Sequence, residues 1–233
     1  MKLNFCFTHV GNDLTYAGML VESIQMFHPD AEIIQLTDEK TPMVKGANKI
    51  FRFDFDASKL MSFRLKANAA TAIEGVTVYL DTDMLLIRTF PFHLFEKDSV
   101  YLLERSFNRN VLVPKYGKGN GFEIDLAEHQ GKTVFQMHPY IACFQVMHSN
   151  VFWKECEKAL DTLNEKYHFW YGDQEIIRDV SMSERFKEHL FKVSEAQFAC
   201  LPEFHKPDQP IVLLHFKGKR KTQMKAVLNQ LKS

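Results

Sequence analysis

The chain has 233 residues, and its 29 Lys and Arg residues balance its 29 Asp and Glu residues, so the formal charge at pH 7 is zero. This balance excludes a global positive field for holding nucleic acid, and the 45% hydrophobic and 25% charged residues exclude disorder as the main state. The cysteines are scattered without a C-x-x-C pair, which argues against a structural zinc site or a disulfide framework and favours a reducing, cytoplasmic compartment.

The first third of the chain alternates predicted strands with predicted helices. Runs of β-branched and aromatic residues predict strands at 2–8, 31–36, 49–53 and 76–80, and apolar residues at helical spacing predict helices at 13–27 and 57–73. This alternation predicts an α/β fold with a mainly parallel central sheet flanked by helices.

The rest of the chain has a less regular pattern. Strands are predicted at 100–103, 142–147 and 211–215, and helices at 150–167, with Asn150 as N-cap, at 173–180 and at 222–231. Residues 104–137 mix Gly, Asn and Lys with isolated apolar residues, and so long an irregular segment is either functional or an ordinary insertion. We find no repeat or linker and expect one domain over 1–233.

No membrane-spanning or export segment is expected. The N-terminal residues lack the features of a signal peptide, and the longest stretch without charged side chains, 133–153, is too polar to cross a bilayer. Peripheral contact with a membrane remains compatible with this composition.

Two carboxylates follow the predicted buried strand 76–80. Asp81 and Asp83 flank Thr82, and alternate residues of an extended chain point the same way, so the two carboxylates can converge on one cation. Hard divalent metals prefer such oxygen ligands and can carry a phosphate on their open positions. The alternative is a solvated strand end with two unrelated Asp residues.

A histidine and a basic turn follow the predicted strand 211–215. His215 ends this strand, and a turn around Gly218 follows with four cations: Lys217, Lys219, Arg220 and Lys221. Such a cluster predicts a local anion site on a neutral protein, and His as a ligand favours manganese over magnesium. The alternatives are a core histidine and a solvated basic face.

A third polar pair opens a predicted helix. Asp173 and Gln174 follow Trp170-Tyr171-Gly172. An Asp in the first turn of a helix is commonly a capping residue, and the sequence alone favours this interpretation over a polar pair in a cleft.

Together, these motifs resemble glycosyltransferases of the GT-A fold, most closely the family 8 type of glycogenin and bacterial lipopolysaccharide galactosyltransferases. The family pattern YLDxD, DQ, HxxGxxK is matched by 79–83, 173–174 and 215–221, and Arg64 lies in an RLK setting on the preceding helix. Two departures stand out: Thr222-Gln223 replace a Pro-Trp pair, and Ile141 and Cys143 replace an Asn and a Gly.

The resemblance implies a single GT-A domain, with a donor-binding half at about 1–103 and an acceptor-side half at about 104–233. It implies metal-dependent transfer of a sugar from a nucleotide-sugar, a UDP-hexose, to a glycan, lipid-linked or protein acceptor, with retention of configuration. We also expect residues 104–139 to border the acceptor cleft and to become ordered when donor binds.

The resemblance carries roles over to specific residues. Manganese, or else magnesium, is expected at Asp81, Asp83 and His215. The nucleotide-sugar is expected to contact Thr8, Asn12, Tyr16, Arg64, Asp81, Thr82, Gly218 and Lys221. Catalytic roles are expected for Asp173, Gln174 and Lys221.

Two alternatives remain. Haloacid-dehalogenase-type phosphatases also use D-x-D at a strand end, but they carry it near the N-terminus and follow it with Thr or Val, where Met84 stands here. A non-catalytic sugar-nucleotide or carbohydrate-binding protein on the same scaffold is the other, and Ile141 and Cys143 are its main support.

Overall fold

A seven-stranded sheet lies at the centre of the computed structural model, which describes residues 2–96, 99–113 and 126–232. The strands of this sheet and of a second, two-stranded sheet are, in chain order, β1 (Leu3–Thr8), β2 (Glu32–Asp38), β3 (Lys49–Phe53), β4 (Val76–Leu80), β5 (Met84–Leu86), β6 (Val100–Glu104), β7 (Tyr140–Met147), β8 (Leu190–Ser194) and β9 (Leu213–His215). The helices are α1 (Thr15–Phe27), α2 (Leu60–Ala70), α3 (Val134–Met137), α4 (Val151–Ala159), α5 (Gly172–Ser181), α6 (Glu195–Phe198) and α7 (Met224–Lys232).

The large sheet has the strand order β3-β2-β1-β4-β7-β6-β8. β1 pairs in parallel with β2 and β4, β2 with β3, and β6 with β8, whereas β7 runs antiparallel to both β4 and β6. The small sheet pairs β5 antiparallel with β9. The prediction of an α/β fold with a mainly parallel central sheet is therefore confirmed, with β7 as its antiparallel member.

Helices cover both faces of the large sheet. Phe5 and Phe7 of β1 belong to the core cluster that contains the buried residues of α1, whereas Cys6 belongs to the cluster that contains those of α2, α4 and α5. Alternate residues of a strand face opposite sides of a sheet, so one short strand contributes to both cores. Burial of each large apolar side chain stabilises the fold by roughly 1.5–3 kcal/mol.

The helix predicted over 150–167 is wrong in its second half. α4 ends at Ala159 and is followed by 3₁₀ turns at 160–162 and 165–168. The Thr162 hydroxyl donates to the Ala159 carbonyl (3.1 Å), and the Asn164 side chain accepts from the Lys166 N–H (3.2 Å). These side chains compete with the helical backbone for its hydrogen bonds and stop the helix.

Other boundaries shift for similar local reasons. α2 is shorter than the predicted helix over 57–73, because the Asp56 side chain accepts from the Ser58 N–H (3.0 Å) and holds a turn before it. Asn150 occupies the predicted N-cap position, but its side chain donates to the Ala69 carbonyl (2.6 Å) instead of capping α4. β5 and β8 were not predicted, because one has three residues and the other is largely exposed.

Among the described helices, none combines the length and the hydropathy needed to cross a membrane.

Candidate active site

Strand pairing brings the two ends of the predicted metal site together. β5 follows directly after Asp83 and pairs with β9 so that Met84 lies opposite His215. The N–H of Phe216 donates to the carbonyl of Asp83 (2.8 Å), which fixes the backbone at this point. The ligand atoms of Asp81, Asp83 and His215 all lie within 4.8 Å of one another. Two carboxylates and an imidazole thus converge from segments that are far apart in the chain.

Arg64 connects the carboxylates of β4 and α5. Its guanidinium lies 2.8 Å from Oδ1 of Asp81 and 3.2 Å from Oδ2 of Asp173, which is 109 residues away in the chain. It also donates to the carbonyl of Ala142 in β7. One partly buried cation on α2 therefore orients both acidic motifs through charge-assisted hydrogen bonds.

The two carboxylates of the D-x-D motif differ electrostatically. Burial raises the pKa of Asp83, but His215 and Lys221 outweigh it and hold the pKa well below its usual range. Oδ1 of Asp83 lies 3.4 Å from Nε2 of His215, and Oδ2 lies 3.2 Å from Nζ of Lys221. Burial raises the pKa of Asp81 more than Arg64 lowers it. Carboxylates this close repel unless a cation lies between or beside them.

The basic turn after β9 divides into two parts. Gly218 has a φ of +64°, in the left-handed region that glycine adopts without strain, and the chain turns there. Lys221 reaches Asp83, and Lys217 lies 3.8 Å from the carboxylate of the fully buried Glu195. Two of the four predicted cations therefore face buried carboxylates at the cleft.

The remaining cations of this turn have other environments. Arg220 forms a fork with Glu203, with its Nε at 3.0 and 2.8 Å from the two carboxylate oxygens. Lys219 is exposed and does not line the cleft described below. Of the four cations predicted around Gly218, Lys217, Arg220 and Lys221 therefore line the cleft and Lys219 does not.

The pair Asp173-Gln174 sits on a tightly constrained turn. Tyr171 has a φ of +63°, unusual for a residue with a side chain, and α5 begins at Gly172. A Cβ added at Gly172 would lie 2.1 Å from the carbonyl oxygen of Tyr167, so only glycine fits there. Asp173 is 4% exposed, and burial raises its pKa more than Arg64 lowers it. The first-turn position is as predicted, but Asp173 also points to Arg64.

Arg105 is a site residue that the sequence did not reveal. It follows β6, its Nε donates to the carbonyl of His138 (2.8 Å), and its Nη2 donates to Oε1 of Gln174 (2.7 Å). A guanidinium only donates, so the atom that it contacts in Gln174 must be the amide oxygen. Because β6 runs parallel to β4, its carboxyl end lies at the same edge of the sheet as Asp81. The direction of β6 in the sheet is the feature that would have placed Arg105 at the site, and the sequence alone does not give it.

One cleft of about 1090 Å³ joins most of the predicted site residues. Those that line it are Thr8, Arg64, Asp81, Thr82, Asp83, Asp173, Gln174, His215, Gly218 and Lys221. Asn12 and Tyr16 do not line it. Asn12 is exposed, and the half-buried Tyr16 ring lies 5.5 Å from Nζ of Lys221.

Of the two departures from the family pattern, the Ile141 and Cys143 pair lines this cleft, whereas Thr222 and Gln223 do not. Ile141 and Cys143 are buried residues of β7, and the carbonyl of Cys143 accepts from the N–H of Asp81 (3.0 Å). Burial raises the pKa of the Cys143 thiol, so the side chain is neutral at pH 7. This wall of the cleft therefore lacks the polar side chain that the Asn of the family pattern would supply.

The described parts of the irregular segment 104–139 lie at the cleft. Its lining includes Asn108 and Val111 before the gap, and Val134, Met137 and His138 after it. Residues 114–125 lie outside the described residues, and the expectation that this segment becomes ordered on donor binding stays a prediction.

Comparison with solved structures identifies the fold. The chain is similar to galactosyltransferase LgtC in complex with donor and acceptor sugar analogs, with a TM-score of 0.59 and 15% identity over 99% of this chain and 96% of that chain. It is also similar to an active-site mutant of LgtC, with a TM-score of 0.57 and 14% identity over 96% and 95% of the two chains. No protein-family model and no curated protein sequence matches the chain.

These likenesses define the class of the fold. It is the GT-A fold, and the resemblance to galactosyltransferases of the family 8 type is confirmed at this level over nearly the whole chain.

Proposed function

We propose that this protein is a glycosyltransferase that binds a nucleotide-sugar through a divalent metal and transfers the sugar to a carbohydrate or glycoconjugate acceptor. The observation that carries the proposal is the convergence of Asp81, Asp83 and His215 within 4.8 Å in the cleft of a GT-A fold, beside Lys221. A metal site and a basic side chain in one cleft are what a nucleoside diphosphate requires.

The donor set fits a divalent transition metal. Two carboxylates and one imidazole suit manganese, with magnesium as the alternative, and the mutual repulsion of Asp81 and Asp83 favours a cation at this point. Asp81, Asp83 and His215 would hold it. A bound divalent cation supplies positive charge that stabilises the departing nucleoside diphosphate.

Basic side chains of the chain itself add to this charge. Lys221, which pairs with Asp83 at 3.2 Å, and Lys217 lie where a diphosphate would face the D-x-D motif. Negative charge grows on the phosphate as the bond to the sugar breaks, so a cation placed there stabilises the transition state more than the ground state. Thr8, Thr82, Arg64 and Gly218 complete the proposed nucleotide-sugar site.

Asp173 and Gln174 are proposed to contact the transferred sugar. Arg64 holds the carboxylate of Asp173, and Arg105 occupies the amide oxygen of Gln174, which leaves the amide N–H groups of Gln174 as its donors. Neither group is free to act as a strong nucleophile. The family resemblance is the basis for proposing that configuration is retained. Because neither side chain is a free nucleophile, we propose that this occurs without a covalent sugar–protein intermediate, and that the leaving phosphate helps to deprotonate the acceptor hydroxyl.

The donor is proposed to be a UDP-hexose. Asn12 and Tyr16, which the resemblance places at the nucleotide-sugar, lie outside the cleft lining. The division into a donor half at 1–103 and an acceptor half at 104–233, and a cytoplasmic location, are likewise proposals.

A screen of nucleotide-sugars without acceptor tests the function. Purified protein is incubated with UDP-glucose, UDP-galactose and other nucleotide-sugars in manganese, in magnesium or in chelator, and UDP release is measured. We expect slow release that depends on the metal. Metal-dependent binding without release, with or without a panel of acceptors, would instead support the non-catalytic binding protein. The phosphatase alternative is not retained, because Asp81 follows the fourth strand of a GT-A fold.

A further inference from the structure

Arg105 brings a buried positive charge to the wall of the cleft. Its side chain is 8% exposed, and burial lowers its pKa, although a guanidinium stays charged at neutral pH. Both groups that it contacts, the carbonyl of His138 and the amide of Gln174, are neutral. Arg105 forms no ion pair with any carboxylate among the residues that the structure describes.

Neighbouring carboxylates already have partners. Those of Asp173 and Glu175 pair with Arg64 and Arg178. Glu195, which acts on Arg105 through its charge, accepts from the N–H groups of Ser106 (2.6 Å) and Phe107 (2.7 Å) and faces Lys217 at 3.8 Å.

Among the described residues, Glu195 is thus shared between Arg105 and Lys217, and the hydrogen-bond partners of the Arg105 guanidinium are both neutral. Burying an unpaired charge is costly, so a site that retains one is suited to an anionic ligand.

Arg105 and Lys221 contact different residues of the site. Arg105 contacts Gln174, whereas Lys221 contacts Asp83, and apolar Val134 and Met137 line the same cleft. The half-exposed Trp170 lines the same cleft and offers an aromatic face on which a sugar ring can pack. Lys221 therefore faces the D-x-D motif, whereas Arg105 faces Gln174, which is proposed to contact the sugar.

We propose that Arg105 binds a carboxylate carried by a sugar substrate, so that the protein acts on acidic sugars. This inference rests on the proposed function and names its substrate class. The guanidinium keeps Nη1 and the second N–H of Nη2 for such a group, and a forked contact with a carboxylate or phosphate gives both strength and direction. A uronic acid on the acceptor and a uronic acid on the donor are the two sources of this chemistry.

The test measures preference for acidic over neutral sugars by calorimetric binding. The acceptor arm uses methyl glucuronide and galacturonide against the matching methyl hexosides, with the protein saturated with manganese and UDP. The donor arm uses UDP-glucuronic and UDP-galacturonic acid against UDP-glucose and UDP-galactose. A charged hydrogen-bonded contact corresponds to about tenfold to a hundredfold in affinity. We expect wild-type protein to prefer the acidic member by that factor in one arm.

Variants connect this preference to Arg105. Arg105→Gln is expected to bring the ratio of acidic to neutral affinity close to one, and Arg105→Lys to keep part of it. Arg52→Gln is the matched control, because Arg52 also donates to backbone carbonyls but does not line the cleft. The ratio of acidic to neutral affinity is measured on one preparation of each variant, so it does not depend on the fraction of that protein that is folded.

Each outcome has a defined meaning. Loss of the acidic preference in the acceptor arm or in the donor arm supports the proposal and identifies the source of the acidic group. A wild type without preference in both arms, or a preference that survives Arg105→Gln, overturns it. The methyl uronides can also be titrated without UDP or turnover, so a failure of UDP binding would count against the proposed function and not against this inference.

Discussion

At the scale of single residues, the candidate site is organised by charged groups that each contact two groups of opposite charge. Arg64 contacts both Asp81 and Asp173, and Lys221 and His215 both contact Asp83. Each of these contacts joins a different pair of chain segments. Changes of single residues are therefore expected to separate metal binding, diphosphate stabilisation and structural roles.

Lys221→Ala is expected to lower turnover more than it weakens UDP binding. Its ammonium contacts Asp83 at 3.2 Å, and loss of one well-aimed charged donor costs ~10²–10³ in rate, or about 3–4 kcal/mol. Initial rates and UDP affinity in manganese are the measurements. Lys219→Ala is the control, and its exposed side chain should change the rate by no more than about twofold. Equal effects of the two substitutions would show that the turn is only a solvated basic face.

Asp83→Asn is expected to abolish the stimulation of activity and of UDP binding by manganese. An amide is a poorer metal ligand than a carboxylate, and the substitution removes one negative charge from the site. The rate and the UDP affinity are measured against manganese concentration. The exposed Asp208→Asn serves as the control for loss of an acidic residue. Full metal-dependent activity in Asp83→Asn would contradict the proposed mechanism.

At the scale of elements, two local features place the site. The pairing of β5 with β9 sets His215 opposite Met84 and so beside Asp83. The turn before α5, with Tyr171 at a φ of +63°, directs Asp173 and Gln174 to Arg64 and Arg105. Backbone strain of this kind persists where the surrounding structure holds it in place, and it commonly occurs at functional sites.

Gly172→Ala is expected to lower both stability and activity. The added Cβ would lie 2.1 Å from a backbone oxygen of Tyr167, and overpacking against groups that cannot move typically costs 1–3 kcal/mol. Urea unfolding and donor hydrolysis measure the two effects.

Gly18→Ala is the matched control for this change. Gly18 lies in α1 with no atom within 4 Å of an added Cβ, so alanine there should stabilise by about 0.5–1 kcal/mol. If both alanines are tolerated equally, the close approach at Gly172 does not constrain the entry to α5.

At the scale of the whole molecule, the sheet and its two helical layers bring together segments that are far apart in the chain. The order β3-β2-β1-β4-β7-β6-β8 places β4, β7 and β6 side by side, and the site forms at the ends of these strands. A second buried polar cluster, centred on Glu175, stabilises the same region. Glu175 of α5 accepts from Nε2 of His138 (2.7 Å) and pairs with Arg178 (2.6 Å).

This cluster predicts a loss of stability in acid. Burial raises the pKa of Glu175, but His138, Arg178 and His129 outweigh it and lower the pKa from 4.5 to about 2. A carboxyl with a lowered folded-state pKa stabilises the protein above its unfolded pKa, and this contribution is lost as the pH falls from about 5 towards 2. The full difference corresponds to about 3 kcal/mol.

Unfolding in urea at pH 6, 5, 4 and 3 measures this effect. The gap in unfolding free energy between wild type and Glu175→Gln should shrink as the pH falls. The exposed Glu184→Gln should show a much smaller, nearly constant gap. A gap for Glu175→Gln that does not change with pH would show that the carboxylate carries no such linkage.

The alternation of strands and helices and the order of the motifs could be predicted from the sequence, because they depend on neighbours in the chain. The buried run 76–80 before Asp81, and the run that ends at His215, show the pattern of buried strands directly. Short or half-exposed strands such as β5 and β8 have too few residues to show a period. The end of α4 at Ala159 depends on side-chain hydrogen bonds, and the spacing of apolar residues does not reveal these.

What the sequence by itself determined is therefore the α/β class and which residue types stand at the ends of the strands. Only the tertiary structure decided which of them meet: Arg64 with Asp173, Lys221 with Asp83, and Arg105 with Gln174. Those contacts depend on strand order and direction, which arise from packing of the whole sheet and leave no trace in local spacing. The resemblance had already selected Lys221 and not Lys219, but the contact of Lys221 with Asp83 and the exposure of Lys219 depend on how the turn at Gly218 folds against β9.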